Sequence, residues 1–428
     1  MNALTPEIQA LIYTLGVAYF FISFFNVAVG LSLMAVAMLF SPEITVAYVS
    51  MQPITIRIED IAIPILAMAL VAQMSMRRQT SLIVASPLNK PILLVLSISL
   101  LSTLWGTLTG WISFNAAIFY YLKTVEYFAI FYLVLNYVQT EKQIRVFLFF
   151  TILTVALIGL YTLIQVPSVQ IWSAHRITAP FEGDKPEPAT MGGYMAFLLL
   201  ILLSIFLYEK RLSMKWFYGV LIIIVFIPFL FTLNRASYIA LFLGLVYLAI
   251  REKRKWLRVL VVCAILFSPF WAPNSVKDRI AYTWLDAKNP GRVLGVDSSF
   301  QERILTLGKA VNTWKLSPFI GWGLTSFPTP DSQWARTLHE VGIIGLGLWI
   351  WLFVRLYKLS GWLFKTLDTG LFKGVALGYQ AGLLALIVHG FGSITFYIVR
   401  IMEPFWFVTG LIMALYLIKV REFVPVKT

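Results

Sequence analysis

The stretch WFYGVLIIIVFIPFLFTLNRASYIALFLGLVYLAI, Trp216 to Ile250, decides the fold. It contains one charged residue, Arg235, and is bracketed by Lys215 and Arg251. A helix crosses a bilayer in about 20 apolar residues, so a run of this length has to cross and return, with the turn near Asn234. Basic residues flank the cytoplasmic ends of membrane helices. The brackets then belong to the cytoplasmic side, and Arg235 falls near the outer tip of a helical hairpin.

The rest of the chain has the same character. Of its 428 residues 59% are hydrophobic, 15% aromatic and 13% charged, far more apolar than a soluble domain. The formal charge of +14 is not a nucleic-acid signature, because the Lys and Arg residues stand in short clusters between apolar runs. We expect an all-α polytopic membrane protein, a single integral domain over residues 1–428, with about twelve spans and a range of about eleven to thirteen. The range reflects the first run, Leu11 to Phe40, which fits one tilted helix or a tight pair and is too long for a signal-peptide core. The single cysteine, Cys263, excludes an intrachain disulfide.

Counting spans places the basic connections at Arg77, Glu141–Arg145, Glu209–Lys215, Arg251–Arg258 and Arg355–Lys373, and the tail from Lys419, on one side, expected to be cytoplasmic along with both termini. Two polar segments fall on the opposite, outer side: about 166–190 and a large loop of about 273–333 between two late spans. Three arginines belong there, Arg176, Arg235 and Arg303. A guanidinium fork holds phosphate oxygens two at a time and keeps its charge, so an arginine cluster above a bilayer suits a phosphate or pyrophosphate. Taken singly, each also has an ordinary reading: a snorkelling side chain for Arg235, and pairing with Glu182, Asp184 or Glu302 for the other two.

The order of R-x-T-x-x-F at Arg176, N-R-A-S at Asn234, Arg303 followed by SPFIGWGLTSF, and DSQWARTLHEVGIIGLG from Asp331 resembles the O-antigen ligase and O-antigen polymerase superfamily of bacterial membrane glycosyltransferases. The resemblance runs from about Tyr121 onward and includes YYLKTVEYFAIFYLVLN. It implies a C-type glycosyltransferase-like helical fold in the bacterial cytoplasmic (inner) membrane, working on the periplasmic face. The implied donor is a glycan on undecaprenyl pyrophosphate, transferred to a glycan or lipid A-core acceptor without metal, nucleotide or other cofactor. Membrane lipids surround it and nucleic acid is no partner. Carried onto this chain, Arg235 and Arg303 match the family's pyrophosphate-holding arginines, and Arg176 its more variable upstream arginine. The ligase branch usually has a histidine where this chain has Asp331, which turns the expectation toward polymerisation of repeat units, with the ligase as alternative. A lipid-linked glycan transporter or flippase is the other class.

Glycosyl transfer also calls for a base near the attacking hydroxyl. Asp331 and His339 are the catalytic candidates, with Glu187 and Glu340 behind them. Asp331 serves equally as a helix cap before Trp334, and Arg336 stands four residues before Glu340, the spacing of an ordinary ion pair. Lys123 and Glu126, three apart inside a span, are expected to neutralise each other. The glycines of HEVGIIGLG are expected to bring helices close together. His389 lies near the outer end of the next-to-last span, with a weaker claim to chemistry.

Overall fold

The computed structural model describes residues 6–49, 52–76, 83–169, 176–181, 187–252, 273–285, 298–327 and 332–423, with 254, 255, 258, 259, 263 and 270. Among these the chain is helical, with one two-stranded antiparallel ribbon, β1 Ile44–Val49 and β2 Gln52–Ile56. The helices are α1 Pro6–Phe25, α2 Val27–Phe40, α3 Ile58–Met76, α4 Asn89–Leu108, α5 Phe114–Tyr137, α6 Glu141–Gln165, α7 Pro188–Tyr208, α8 Leu212–Leu230 and α9 Arg235–Glu252. They continue with α10 Asn274–Leu285, α11 Ser298–Trp314, α12 Gln333–Thr366, α13 Leu371–His389 and α14 Val399–Phe423. Nine of the described helices are long and apolar enough to cross a membrane. The shorter α2, and α9 with its terminal charges, are further apolar helices. The expected span near 257–271 lies almost wholly outside the described residues.

The first apolar run is a tight pair. Asn26 breaks it, its side chain accepting from the N–H of Ala28 at 3.1 Å and so capping α2. The Tyr19 hydroxyl reaches back to the Gly30 carbonyl at 2.9 Å. Gly16 faces Ile65, and Gln73 donates to the Phe24 carbonyl, so α1 runs in the direction of α3.

The centre of the bundle is α7 against α13. Gly374, Gly378 and Gly382 form a stripe four residues apart on α13. A Cβ on them would lie 2.8 Å from Ile205 Cα, 2.5 Å from Ile201 Cα and 2.5 Å from the Phe197 ring. Only glycine admits the α7 backbone at this distance, the way small residues close helices on one another in membranes. Basic side chains gather at one end of the bundle: Arg145 lies over Phe372, Arg251 and Lys373 both lie over Phe364, and Lys419 pairs with Glu141. The end that carries Arg235 is the other one, and the functional candidates collect there.

Candidate functional site at the Arg235 end

The turn between α8 and α9 is built around Leu233, buried at φ +51°, and Asn234, whose Oδ1 accepts from the Ser237 N–H at 3.0 Å and caps α9. Arg235 is the first residue of that helix. One turn in, Tyr238 donates to the Leu230 carbonyl and fixes the hairpin. Two further guanidiniums reach this turn. Arg279 of α10 donates from Nε to the Leu233 carbonyl at 3.3 Å, and the charges of Arg279 and Arg176 both bear on the Tyr238 phenol. Burial draws Arg176 below its ordinary value, an effect Tyr238 partly offsets, yet a guanidinium stays charged. Its Nε is buried with no hydrogen-bond partner.

Behind the turn, His389 is wholly buried. Ser237 Oγ gives its one proton to Asn234 Oδ1 at 3.1 Å, so the 3.0 Å contact with His389 Nε2 makes that nitrogen the donor. His389 Nδ1 lies 2.7 Å from the Thr395 hydroxyl, within hydrogen-bond distance. The imidazole joins α9, α13 and the segment leading into α14.

The segment Ser317–Phe327, the SPFIGWGLTSF of the sequence, laces into α12 where that helix breaks. Gly342 has φ +66° and ψ −171°, outside helical space. The His339 and Glu340 carbonyls, which a continuous helix would give to Ile343 and Ile344, accept instead from Trp322 N–H at 3.0 Å and Gly323 N–H at 2.9 Å. In return Ile343 and Ile344 donate to the Pro318 and Phe319 carbonyls at 2.9 and 3.2 Å. Non-helical backbone at a membrane-protein helix is tolerated where protein groups satisfy it, and here four bonds do so. Ser102 of α4 completes the joint, donating to the Glu340 carbonyl and accepting from Gly323 N–H at 2.9 Å. The expectation for the HEVGIIGLG glycines is corrected at Gly342, which breaks the helix rather than drawing two helices together.

His339 and Glu340 face inward at this joint. His339 is 2% exposed, its Nδ1 3.1 Å from Ser326 Oγ and its ring against Phe327. Glu340 and Arg336, both 4% exposed, form the ion pair that their spacing predicts, at 2.9 Å. Glu340 Oε1 also accepts from Thr325 N–H at 2.8 Å, and Arg336 lies over the Tyr397 ring at 3.5 Å. Glu187 stands at the N-cap position of α7 without a side-chain cap to the backbone, and its carboxylate accepts from the Thr190 hydroxyl at 2.9 Å. Asp331 lies outside the described residues; the helix cap position is Ser332. Arg303 sits on α11 with its side chain outside the described residues.

A second group of charges lies between α3, α5 and α14. Lys123 pairs with Glu126 at 3.2 Å, as expected, and also with Asp60. Asp60 and Glu126 each have an oxygen within 4.8 Å of Glu403, which is wholly buried. Beside them Arg57 bonds Glu43 and lies 3.5 Å from Glu59, and Arg400 lies 3.6 Å from Glu43 while donating to the Pro180 carbonyl at 2.7 Å. The burial of Arg57 acts to lower its pKa, but the carboxylates of Glu43, Glu59 and Glu403 outweigh it and hold the guanidinium charged. Arg400 ties this group to the segment that carries Arg176.

At the turn that Arg235 opens the structure adds Arg279, which the sequence did not single out, and the charge of Arg176 acts on Tyr238 of the same helix. The structure separates His339 and Glu340 into a buried joint. Fold and site define a helical membrane protein with a cationic turn at one end, next to a broken helix. No family model matches the chain, and no curated protein matches it.

Proposed function

We propose that this protein is a metal-independent membrane glycosyltransferase that acts on undecaprenyl-pyrophosphate-linked glycan at the outer face of the cytoplasmic membrane and polymerises its repeat units. The observation that carries the reading is Arg279 bonded to the Leu233 carbonyl at the turn before Arg235, with the charge of Arg176 acting on Tyr238 one turn into the same helix. When the glycosidic C–O bond breaks, the pyrophosphate leaving group takes the electron pair and gains one negative charge, which fixed guanidiniums stabilise more in the transition state than in the ground state. In this reading the donor pyrophosphate lies on these arginines with Arg303 joining them, and Asp331 takes the proton of the acceptor hydroxyl. His339, locked at the broken helix, holds the SPFIGWGLTSF segment in place beside them. The ligase alternative differs in acceptor alone, a lipid A-core in place of a second repeat unit.

A transporter is the second reading, favoured by one observation: Asp60, Lys123, Glu126 and Glu403 are ionisable groups inside the helical bundle, where such residues mark ion or substrate paths. One experiment separates the two. Purified protein incubated with the lipid-linked glycan releases undecaprenyl pyrophosphate and lengthens the glycan if it is a transferase. An intact donor under all conditions refutes transfer.

A further inference from the structure

The charge balance among α3, α5 and α14 is uneven in one place. Glu43 and Glu59 are matched by Arg57 and Arg400, two against two, through the contacts described above. Asp60, Glu126 and Glu403 have one cation in contact, Lys123, which touches the first two, while Arg57, already paired with Glu43 and Glu59, acts on Glu403 from farther off. With all three ionised, three carboxylates less one ammonium leave two negative charges. Glu403 carries the deficit most acutely: it is 0% exposed and neither of its oxygens has a hydrogen-bond partner. The phenol beside it gives no relief, because Tyr127 donates its proton to the Tyr397 carbonyl at 3.0 Å. Glu126 Oε1 is likewise buried without a hydrogen bond. An uncompensated carboxylate in the interior is costly enough that something has to neutralise it.

We propose that Asp60, Glu126 and Glu403 bind one divalent, oxygen-seeking cation of the Ca²⁺/Mg²⁺ class. Oxygens from all three residues lie within 4.8 Å of one another, close enough to share a single ion. Hard divalent cations take carboxylate oxygens at about 2.0–2.6 Å and add waters or carbonyls to complete the shell. A charge of two closes the local deficit in one step, where protons would need two separate sites. The Asp60 and Glu126 side chains are not fully enclosed, retaining 14% and 12% exposure. The ion would fasten three helices that are far apart in sequence. It lies apart from the transfer chemistry proposed above and does not depend on it.

The test uses full-length protein in uncharged detergent, stripped with a chelator, then titrated with Ca²⁺ or Mg²⁺ against Na⁺ at matched ionic strength. Wild type is expected to bind one divalent ion per chain and to melt at a higher temperature with it, with no response to Na⁺. Glu403→Gln is expected to weaken binding about tenfold or more. Without the ion the same variant melts at or above wild type, because it no longer carries an unmatched charge. That crossed outcome separates a ligand from a residue that merely packs. Asp60→Asn is the second variant should Glu403→Gln not fold, and it too is expected to weaken binding. A stripped wild type that binds no divalent ion overturns the proposal, as does Glu403→Gln binding with wild-type affinity. A melting temperature that follows pH while ignoring both ions makes protons the neutralising species and overturns it equally.

Discussion

Replacing Gly342 by alanine tests the lacing of α12 at its break. A Cβ at this position would stand 2.2 Å from the Phe319 carbonyl oxygen, 2.4 Å from its carbon and 2.6 Å from the Ile320 nitrogen. All three are backbone atoms, so no rotamer change relieves the overlap, and φ +66° is a region that alanine avoids. The variant's best escape is to straighten the helix, returning Ile343 and Ile344 to the His339 and Glu340 carbonyls. That forfeits the four bonds with residues 318–323, each worth about 0.5–1.5 kcal/mol net, or about 2–6 kcal/mol together. Straightening regains two of them, which leaves a loss of about 1–3 kcal/mol before the stranded amides of Trp322 and Gly323 are counted. The assay is unfolding in mixed micelles, with Gly347→Ala as control. Gly347 lies in the same helix with nothing within 4 Å of its missing Cβ, so alanine there is neutral or stabilising. If Gly342→Ala unfolds together with that control, the break is not held by these contacts and the argument fails.

The cationic turn makes a chemical prediction: Arg235→Lys and Arg176→Ala lower release of undecaprenyl pyrophosphate at least about tenfold while the protein remains folded, since an ammonium lacks the two-pronged contact. Arg303→Ala is expected to act in the same way, and full activity in Arg235→Lys would rule out a guanidinium fork. Glu340→Gln, which leaves Arg336 buried without its partner, is expected to cost about 3–5 kcal/mol in an unfolding titration. The double replacement of Arg336 and Glu340 by methionine should cost less than either single one. Asp331→Asn keeps the shape of the side chain while removing its basicity, so turnover is expected to fall about a hundredfold or more with donor binding intact. Normal turnover would reduce Asp331 to a structural position.

Much of the scaffold was legible because span length and cation placement are one-dimensional signals. The hairpin tip at Asn234 and Arg235 followed from one uncharged run and its brackets, and the Arg336–Glu340 pair from helical spacing. The glycine stripe on α13 was there to be read at a spacing of four, but small residues in an apolar run are common. The buried charges Arg400 and Glu403 in the first turns of α14 are hidden from the sequence, because a hydropathy window trims charged residues off the end of an apolar run. Their partners stand at Glu43, Asp60 and Glu126, hundreds of residues away, and no local pattern links them. Arg279 looked like any other arginine in a polar segment until the fold laid α10 against Leu233. The break at Gly342 was hidden for a related reason: the strand of backbone that satisfies it is a separate segment, and HEVGIIGLG alone reads as an unbroken helix.

Ser102 has a consequence for how the protein is made. Its hydroxyl joins two backbone groups, at Gly323 and Glu340, that leave the ribosome 221 and 238 residues after it. At roughly 5–20 residues per second, α4 waits roughly 10–50 s for them. During that interval the helix must sit beside the insertion machinery or water with its hydroxyl bonded elsewhere. The last act of assembly is therefore at the Arg235 end, where late-made chain threads back onto a helix inserted long before. A protein cut short anywhere before Gly323 would hold most of its spans and still lack the clasp that closes this face.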